Sequence, residues 1–420
     1  MTGDTITKNR EHFFEWLPKE GDPEYKHHRS YRGGSMNFLS LNRERKHGES
    51  FTRNFVDVAI RRQLSWGFTT IGDWAHDDVL DRSELPFTAH VWCRAGWLEI
   101  GTSEKSGMSF PKEIPDPFHP AYVPALRKDL RRYVKHKDNP YFLGVFVENE
   151  IPWISGDGAY QGLDTHKRVT TSVLASDKES PLRAKLIERI RGDFPSIEAL
   201  NKAFGTELAA LADLDKPVAL DNAQQKRARE VLDRYDHWIA EAYYRIAAET
   251  VREMLPGVLY LGSRFHVFST ALVRAAARHC DIVSFNVYEK TPTVRQADEM
   301  AARHDFPIIV GEFDFLADDA GHLCRRDDRK YAGTQAGRAE AFTRYMETMA
   351  KTSCFVGAHW FQYADESYLG RSWDGENFNC GFVTVTDDPY PLLVEAARQF
   401  HSRMYEMRLS APAKQEAKTK

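Results

Sequence analysis

Eight short apolar runs punctuate the chain: SMNFLSL from position 35, FTTIGDW from 68, PFTAHVW from 86, FLGVFVENE from 142, LYLGSRF from 259, DIVSFNVY from 281, PIIVGEF from 307 and CFVGAHWFQY from 354. Their apolarity is continuous rather than alternating, which is the pattern of parallel strands covered on both faces. Between them the period becomes helical. Val56, Ile60 and Leu64 share one face, as do Val123, Leu126 and Leu130, then Ala339, Phe342, Met346 and Met349, then Leu393, Phe400 and Met404. Strand alternating with helix predicts an α/β fold, and eight such units in 420 residues predict a (β/α)8 TIM barrel. The stretch of about 155–255, with SPLRAKLIERIRGDFPSIEALNKAFGT and AQQKRAREVLDRYDHWIAEAYYRIAAETVREML, reads as a helical insertion between strands 4 and 5. The expected organisation is an N-terminal extension over 1–34, the barrel over 35–408 and a disordered tail over 409–420, where SAPAKQEAKTK offers too little apolar surface to fold.

Two of the runs end in carboxylates. FLGVFVENEIPW is apolar enough for a buried strand, yet it stops at Glu148, Asn149 and Glu150, which a core would reject unless a site uses them. PIIVGEFDF delivers Glu312 in the same way. In a barrel the active site lies at the C-terminal strand ends, so the fourth and seventh runs would present these two carboxylates to one mouth. Glycoside hydrolysis needs such a pair, one protonated to donate to the leaving oxygen and one ionised to attack the anomeric carbon. Glu150 is the expected acid/base, with Asn149 beside it for the sugar 2-hydroxyl, and Glu312 is the expected nucleophile. Either glutamate alone could as well be a salt-bridge partner or a helix-cap neighbour; their joint placement is what points to chemistry.

Charge and motifs narrow the alternatives. The balance of 57 basic against 61 acidic residues, net −4, leaves no basic stripe for phosphates or an acidic membrane, so neither nucleic acid nor membrane is an expected partner. MTGDTITKNREHFFEW carries charges where an export signal needs an apolar core, so the chain reads as cytoplasmic, or as secreted or periplasmic if a signal has been removed. The five cysteines are odd in number and widely spaced, which suits reduced thiols. There is no G-x-S-x-G elbow, phosphate loop, dinucleotide glycine fingerprint or zinc spacing, so no metal or cofactor is expected; HHR at 27–29 reads as a solvated run.

VENE, VGEFDF and above all VGAHWFQYADESYLGRSWDGENFNCGFVTVTDDPYP resemble glycoside hydrolases of clan A, and most of all the β-agarases of family 50. GFTTIGDW and SIEALNKAFGT also resemble the related family 42 β-galactosidases. The likeness runs from about residue 35 to 405. It implies a catalytic barrel and a metal-free retaining double displacement on galactose-containing chains. It also implies that Tyr288 holds the nucleophile and that Trp360 floors the sugar site. Trp92 and Tyr363 are further candidate stacking platforms, and Arg264, His266, Gln362, Asp365, Asp374, Glu376 and Asn377 are candidate hydroxyl partners. Core packing is the alternative for the aromatic residues, and turn formation for SWDGEN.

The family carries a His where this chain has Asp314, two residues beyond Glu312 and so on the same strand face. Asp314 is expected to influence which sugar is accepted, disfavouring sulfate, unless Arg325 or Arg326 ties it up. The function expected is a retaining glycoside hydrolase cleaving β-galactosidic bonds in agar-type oligosaccharides or polysaccharides, acting from a chain end. The alternatives are a general β-galactosidase and an inactive glycan-binding barrel.

Overall fold

The computed structural model describes residues 4–5, 11–29, 34–48, 51–93, 97–99, 113–155, 167–292, 301, 305–322, 324, 326–371 and 375–410. Its principal strands are β1 (Ser35–Met36), β2 (Phe87–Val91), β3 (Phe142–Val147), β4 (Leu259–Tyr260), β5 (Val283–Asn286), β6 (Ile308–Phe313) and β7 (Phe355–Trp360). Its principal helices are α1 (Phe38–His47), α2 (Phe51–Ser65), α3 (Tyr122–Leu130), α4 (Val169–Ala175), α5 (Pro181–Asp193), α6 (Ile197–Phe204), α7 (Asn222–Arg227), α8 (Arg229–Met254), α9 (Thr270–Ala277), α10 (Gln335–Lys351) and α11 (Pro391–His401). Strand and helix alternate as an α/β chain should. The chain divides into two compact units, one of Met1–Phe87, Val287–Thr293 and Val310–Lys420, the other of Thr88–Asn286 and Val294–Ile309.

In the unit containing β3, the sheet order is β4, β3, β2, and β4 runs parallel to β3 with Leu259 opposite Gly144 and Tyr260 opposite Val145. Phe146, Leu261 and Ile309 form a buried cluster with Leu259 and Ile282 against it. Each such side chain removed from water is worth about 1.5–3 kcal/mol. The stretch between 167 and 255 is helical through α4 to α8, and its starts follow from capping. Ser180 accepts from the Arg183 N–H at 3.1 Å with Pro181 in the first turn, and Ser196 accepts from the Ala199 N–H at 3.2 Å. Asp236, buried in α8, anchors the start of α4 through the Thr170 hydroxyl at 2.6 Å and Arg168 at 2.8 Å.

In the other unit the first apolar run departs from expectation. Only Ser35–Met36 is strand; the rest is α1, because Asn37 caps a helix by accepting from the Ser40 N–H at 3.0 Å. Met36 and Leu41 still form a core, covered by Phe14, Leu17 and Phe38. The second run makes one parallel bridge, Ile71 to Phe87. On α2, Val56 and Ile60 are buried as expected but Leu64 is 42% exposed, because the chain leaves the helix one residue later and Trp66 takes the buried place. Met404 lies beyond α11 in a separate short helix. HHR is not a solvated run: His27 is buried, with Nε2 2.5 Å from Glu44. The cysteines are free thiols, with Cys93, Cys354 and Cys380 buried. Among the described residues no helix is long and apolar enough to cross a membrane.

Candidate active site

The end of β3 is built to turn carboxylates in different directions. Beyond Val147 the chain keeps its ladder, with Val147 N–H donating to Gly262 at 3.0 Å and Glu150 N–H to Ser263 at 3.1 Å, while Glu148 N–H donates to Val91 at 2.9 Å. Glu148 and Glu150 nonetheless sit in the left-handed region, at φ 64 and 49, which L-residues hold only when their surroundings impose it. The imposing groups are Ile151 and Trp153, both buried. Trp153 stands edge-on to Tyr243 at 5.4 Å, and the Tyr243 hydroxyl donates to the Val147 carbonyl at 3.0 Å. Glu148 is thereby turned wholly inward, accepting from the Cys93 N–H, and Asn149 and Glu150 are left half-buried.

Glu150 is held by a residue not picked out from the sequence. Asn286, the last residue of β5, donates its side-chain amide to Glu150 at 2.7 Å and lies 3.2 Å from the Asn149 side-chain oxygen. Its own oxygen accepts from Arg264 Nε at 3.3 Å; Arg264 is fully buried, at φ 54, with its guanidinium 5.1 Å from the Phe146 ring. His266 Nδ1 lies 3.7 Å from Glu150. Asn149 and His266 thus lie beside Glu150, and Asn286 links Glu150 and Asn149 to Arg264. Trp92 is half-buried, tilted against His90 at 4.5 Å, with its backbone N–H donating to Asp129 at 2.8 Å.

In the other unit, Glu312 on β6 is 6% exposed. Trp74 Nε1 donates to one carboxylate oxygen at 2.8 Å and the Tyr288 hydroxyl donates to the other. Trp74, at φ 65 and 41% exposed, closes the GFTTIGDW run and was not singled out from sequence. Val287 N–H donates to the Glu312 carbonyl at 2.8 Å, so the backbone that carries Tyr288 is laced to the backbone that carries Glu312. An indole N–H can only donate, so the oxygen it meets serves as an acceptor, the role of an attacking carboxylate.

Trp360 closes β7, with Nε1 donating to the Cys380 carbonyl at 2.7 Å and its ring edge-on to Phe313 at 5.2 Å. Gln362, joined to Phe361 by a cis peptide, lies with Nε2 3.9 Å from Cys380 Sγ. The remaining expected sugar partners have other company. Asp314 is buried and paired with Lys330 at 3.0 Å, rather than with Arg326, which pairs with Asp318 at 2.8 Å. Burial pushes the Asp314 carboxyl up to about 6, against the pull of Lys330. Asp365 is buried among Asn379 at 3.0 Å, Tyr390 at 2.5 Å and the Gly381 N–H at 2.7 Å.

Tyr363 accepts from Arg62 at 3.0 Å and stacks near Trp66. Glu376 pairs with Arg371, which also reaches buried Glu366 at 3.0 Å, and Asn377 donates to the Tyr368 carbonyl at 3.3 Å. Asp374 and Arg325 lie outside the described residues.

No family model matches the chain. It is 31% identical over 416 residues to β-agarase B of Vibrio sp. (strain JT0107), a match that covers 95% of this chain and 42% of that protein. It superposes on an exo-β-agarase structure with a TM-score of 0.84 at 31% identity, covering 96% of this chain and 55% of that one. A β-galactosidase from the Antarctic haloarchaeon Halorubrum lacusprofundi shares the fold alone, at TM-score 0.54 and 13% identity, over 83% of this chain and 56% of that one. The chain spans roughly half the length of the agarases it matches. The likeness to family 50 β-agarases read from the sequence is therefore borne out along nearly the whole of this chain, and the weaker likeness to β-galactosidases is one of fold.

Proposed function

We propose that this chain is a retaining glycoside hydrolase that cleaves β-galactosidic bonds in agar-type galactans from a chain end, on a (β/α)8 barrel spanning 35–408 with residues 155–255 inserted. The observation that carries the reading is the setting of Glu312. It is a glutamate closing a buried strand, with a donor on each carboxylate oxygen supplied by the distant positions Trp74 and Tyr288. The match to β-agarases supports the substrate class, and the match to an exo-β-agarase supports action from a chain end.

In this reading Glu312 attacks the anomeric carbon and the bond to the leaving oxygen breaks as Glu150 gives that oxygen a proton. Water, deprotonated by Glu150, then displaces Glu312 with the configuration restored. Asn149, oriented by Asn286, takes the sugar 2-hydroxyl. Half-buried Trp92, Trp360, Gln362 and His266 meet the sugar, whereas Arg264, Asp314 and Asp365, buried in their own polar networks, support the groups that do. Glu376 meets the sugar from the loop that Arg371 holds.

The test is incubation with neutral agaro-oligosaccharides of defined length, followed by product masses. The reading expects release of one product size from one end and no release by Glu312→Ala. Products of every length would refute exo action, and turnover by Glu312→Ala would refute the nucleophile.

A further inference from the structure

Behind Tyr288 lies a buried cation that the reaction outlined above does not use. Lys330 is 7% exposed, and its ammonium sits 4.4 Å from the centre of the Tyr288 ring and 4.4 Å from that of Phe378, with Asp314 at 3.0 Å. The backbone around it is fixed as well. Lys330 N–H donates to Asp328 at 3.0 Å, and the Lys330 carbonyl accepts from Leu316 N–H at 3.0 Å, two residues beyond Asp314.

Taking an ammonium out of water costs several kcal/mol even after relaxation, and a buried pair is often no more stabilising than apolar residues of the same volume. Stability alone is therefore a poor reason for this arrangement. What the arrangement does supply is direction: a cation over a ring face attracts the ring's π-electrons and so holds the ring in place. The ring held here is the one whose hydroxyl donates to Glu312, and drawing electron density from a phenol strengthens it as a donor.

We propose that Lys330 is a positioning residue for the nucleophile, held by Asp314 between the rings of Tyr288 and Phe378 so that it fixes and polarises the phenol that donates to Glu312. Asp314 then acts through Lys330 and not on the sugar. The inference rests on the reading of Glu312 as nucleophile. Besides Asp314 and Asp328, the ionisable groups acting on Lys330 are Cys380 and Glu366, and Arg338 acts on Asp314. Cys380, Glu366 and Asp314 are all pushed up by burial, Asp314 to about 6, so near pH 5 Lys330 carries the charge that matters.

The two partners should act unequally on the acid limb. Without Lys330 the field favouring an ionised Glu312 is lost, whereas Asp314, protonated below about pH 6, holds Lys330 there without offsetting its field. Lys330→Met, Lys330→Arg and Asp314→Asn are made in the whole chain. Each is followed by the pH profile of kcat/KM on a neutral agaro-oligosaccharide and by NMR titration of Glu312 in protein labelled at the glutamate carboxyl carbon, its resonance assigned with Glu312→Gln.

Lys330→Met is expected to move the acid limb and the Glu312 midpoint upward and to cut kcat by roughly tenfold or more with KM little changed. Asp314→Asn, which removes no charge at the acid limb, moves limb and midpoint far less than Lys330→Met, and Lys330→Arg stays near the parent. A merely structural pair would lower Tm while leaving limb and midpoint unmoved in Lys330→Met, or moved equally in Lys330→Met and Asp314→Asn, and either result overturns the proposal. Should Lys330→Met not fold, Lys330→Gln replaces it with the same two outcomes. A parent that turns over no galactan, with the Glu312 midpoint still moving upward without the Lys330 charge, refutes the hydrolase reading and leaves the Lys330 assignment standing.

Discussion

Glu312 owes its setting to a tryptophan 238 positions earlier in the chain and a tyrosine 24 earlier. Trp74→Phe keeps the ring and deletes the N–H, and a hydrogen bond to a charged group is worth about 1.5–3 kcal/mol. We expect kcat to fall by roughly ten- to a hundredfold with Tm nearly unchanged, checked by steady-state kinetics beside a thermal melt. Glu150→Ala should be slow on galactan oligosaccharides yet partly spared on nitrophenyl β-galactosides, whose leaving groups need little protonation; equal loss on both would argue against Glu150 as the acid. The two glutamates were legible because each interrupts an apolar run with a charge. Trp74 also ends such a run, but an aromatic there is consistent with core packing, and its positive φ and its aim at Glu312 are properties of the folded backbone. Asn286 was hidden for the same reason, inside a run that read only as a strand.

The strands show where periodicity suffices. The runs that became β2 to β6 are bounded by turn-forming residues and largely buried, so apolarity located them; β7 was located in the same way, although only Phe355 and His359 of it are buried and Val356 is exposed. SMNFLSL has the same composition, but Asn37 diverts it into α1, because a cap acts on the first free N–H groups whatever follows. Glycines give the sharpest tests at this scale. A Cβ on Gly144 of β3 would come within 2.8 Å of Leu261 and 2.9 Å of the Leu259 carbonyl, and the backbone atom cannot swing away. Overpacking of this kind costs about 1–3 kcal/mol, so Gly144→Ala should lower Tm by roughly 2–10 °C in calorimetry. Gly192, exposed near the end of α5, meets nothing within 4 Å, and Gly192→Ala should gain about 0.5–1 kcal/mol. A destabilised Gly192→Ala would contradict the helix assigned there.

For the whole molecule, buried carboxyls make stability depend on pH in a direction opposite to that of surface ion pairs. Burial pushes Glu366 up to about 8 from an ordinary value of 4.5, against the pull of Arg371. The folded chain therefore keeps a proton that the unfolded chain has released. This contribution is fully present below about pH 4.5 and is lost as pH rises through about 8. His279 and His401, which burial pushes down, work the other way near neutrality, so the comparison must isolate Glu366. The Tm of the parent minus that of Glu366→Gln should fall between pH 5 and pH 9, and a constant or rising difference would contradict the assignment. None of this was legible in the sequence, where Glu366 is one acidic residue among 61 and its burial depends on Phe378 and Arg371 folding over it. The central claim, that Glu312 is the nucleophile of a retaining hydrolase, is tested most directly by trapping. The chain is incubated with a 2-deoxy-2-fluoro galactosyl fluoride, digested, and its peptides weighed. The account predicts one fluorogalactosyl adduct on the peptide carrying Glu312, absent from Glu312→Gln; an adduct on another carboxylate in the parent would contradict it.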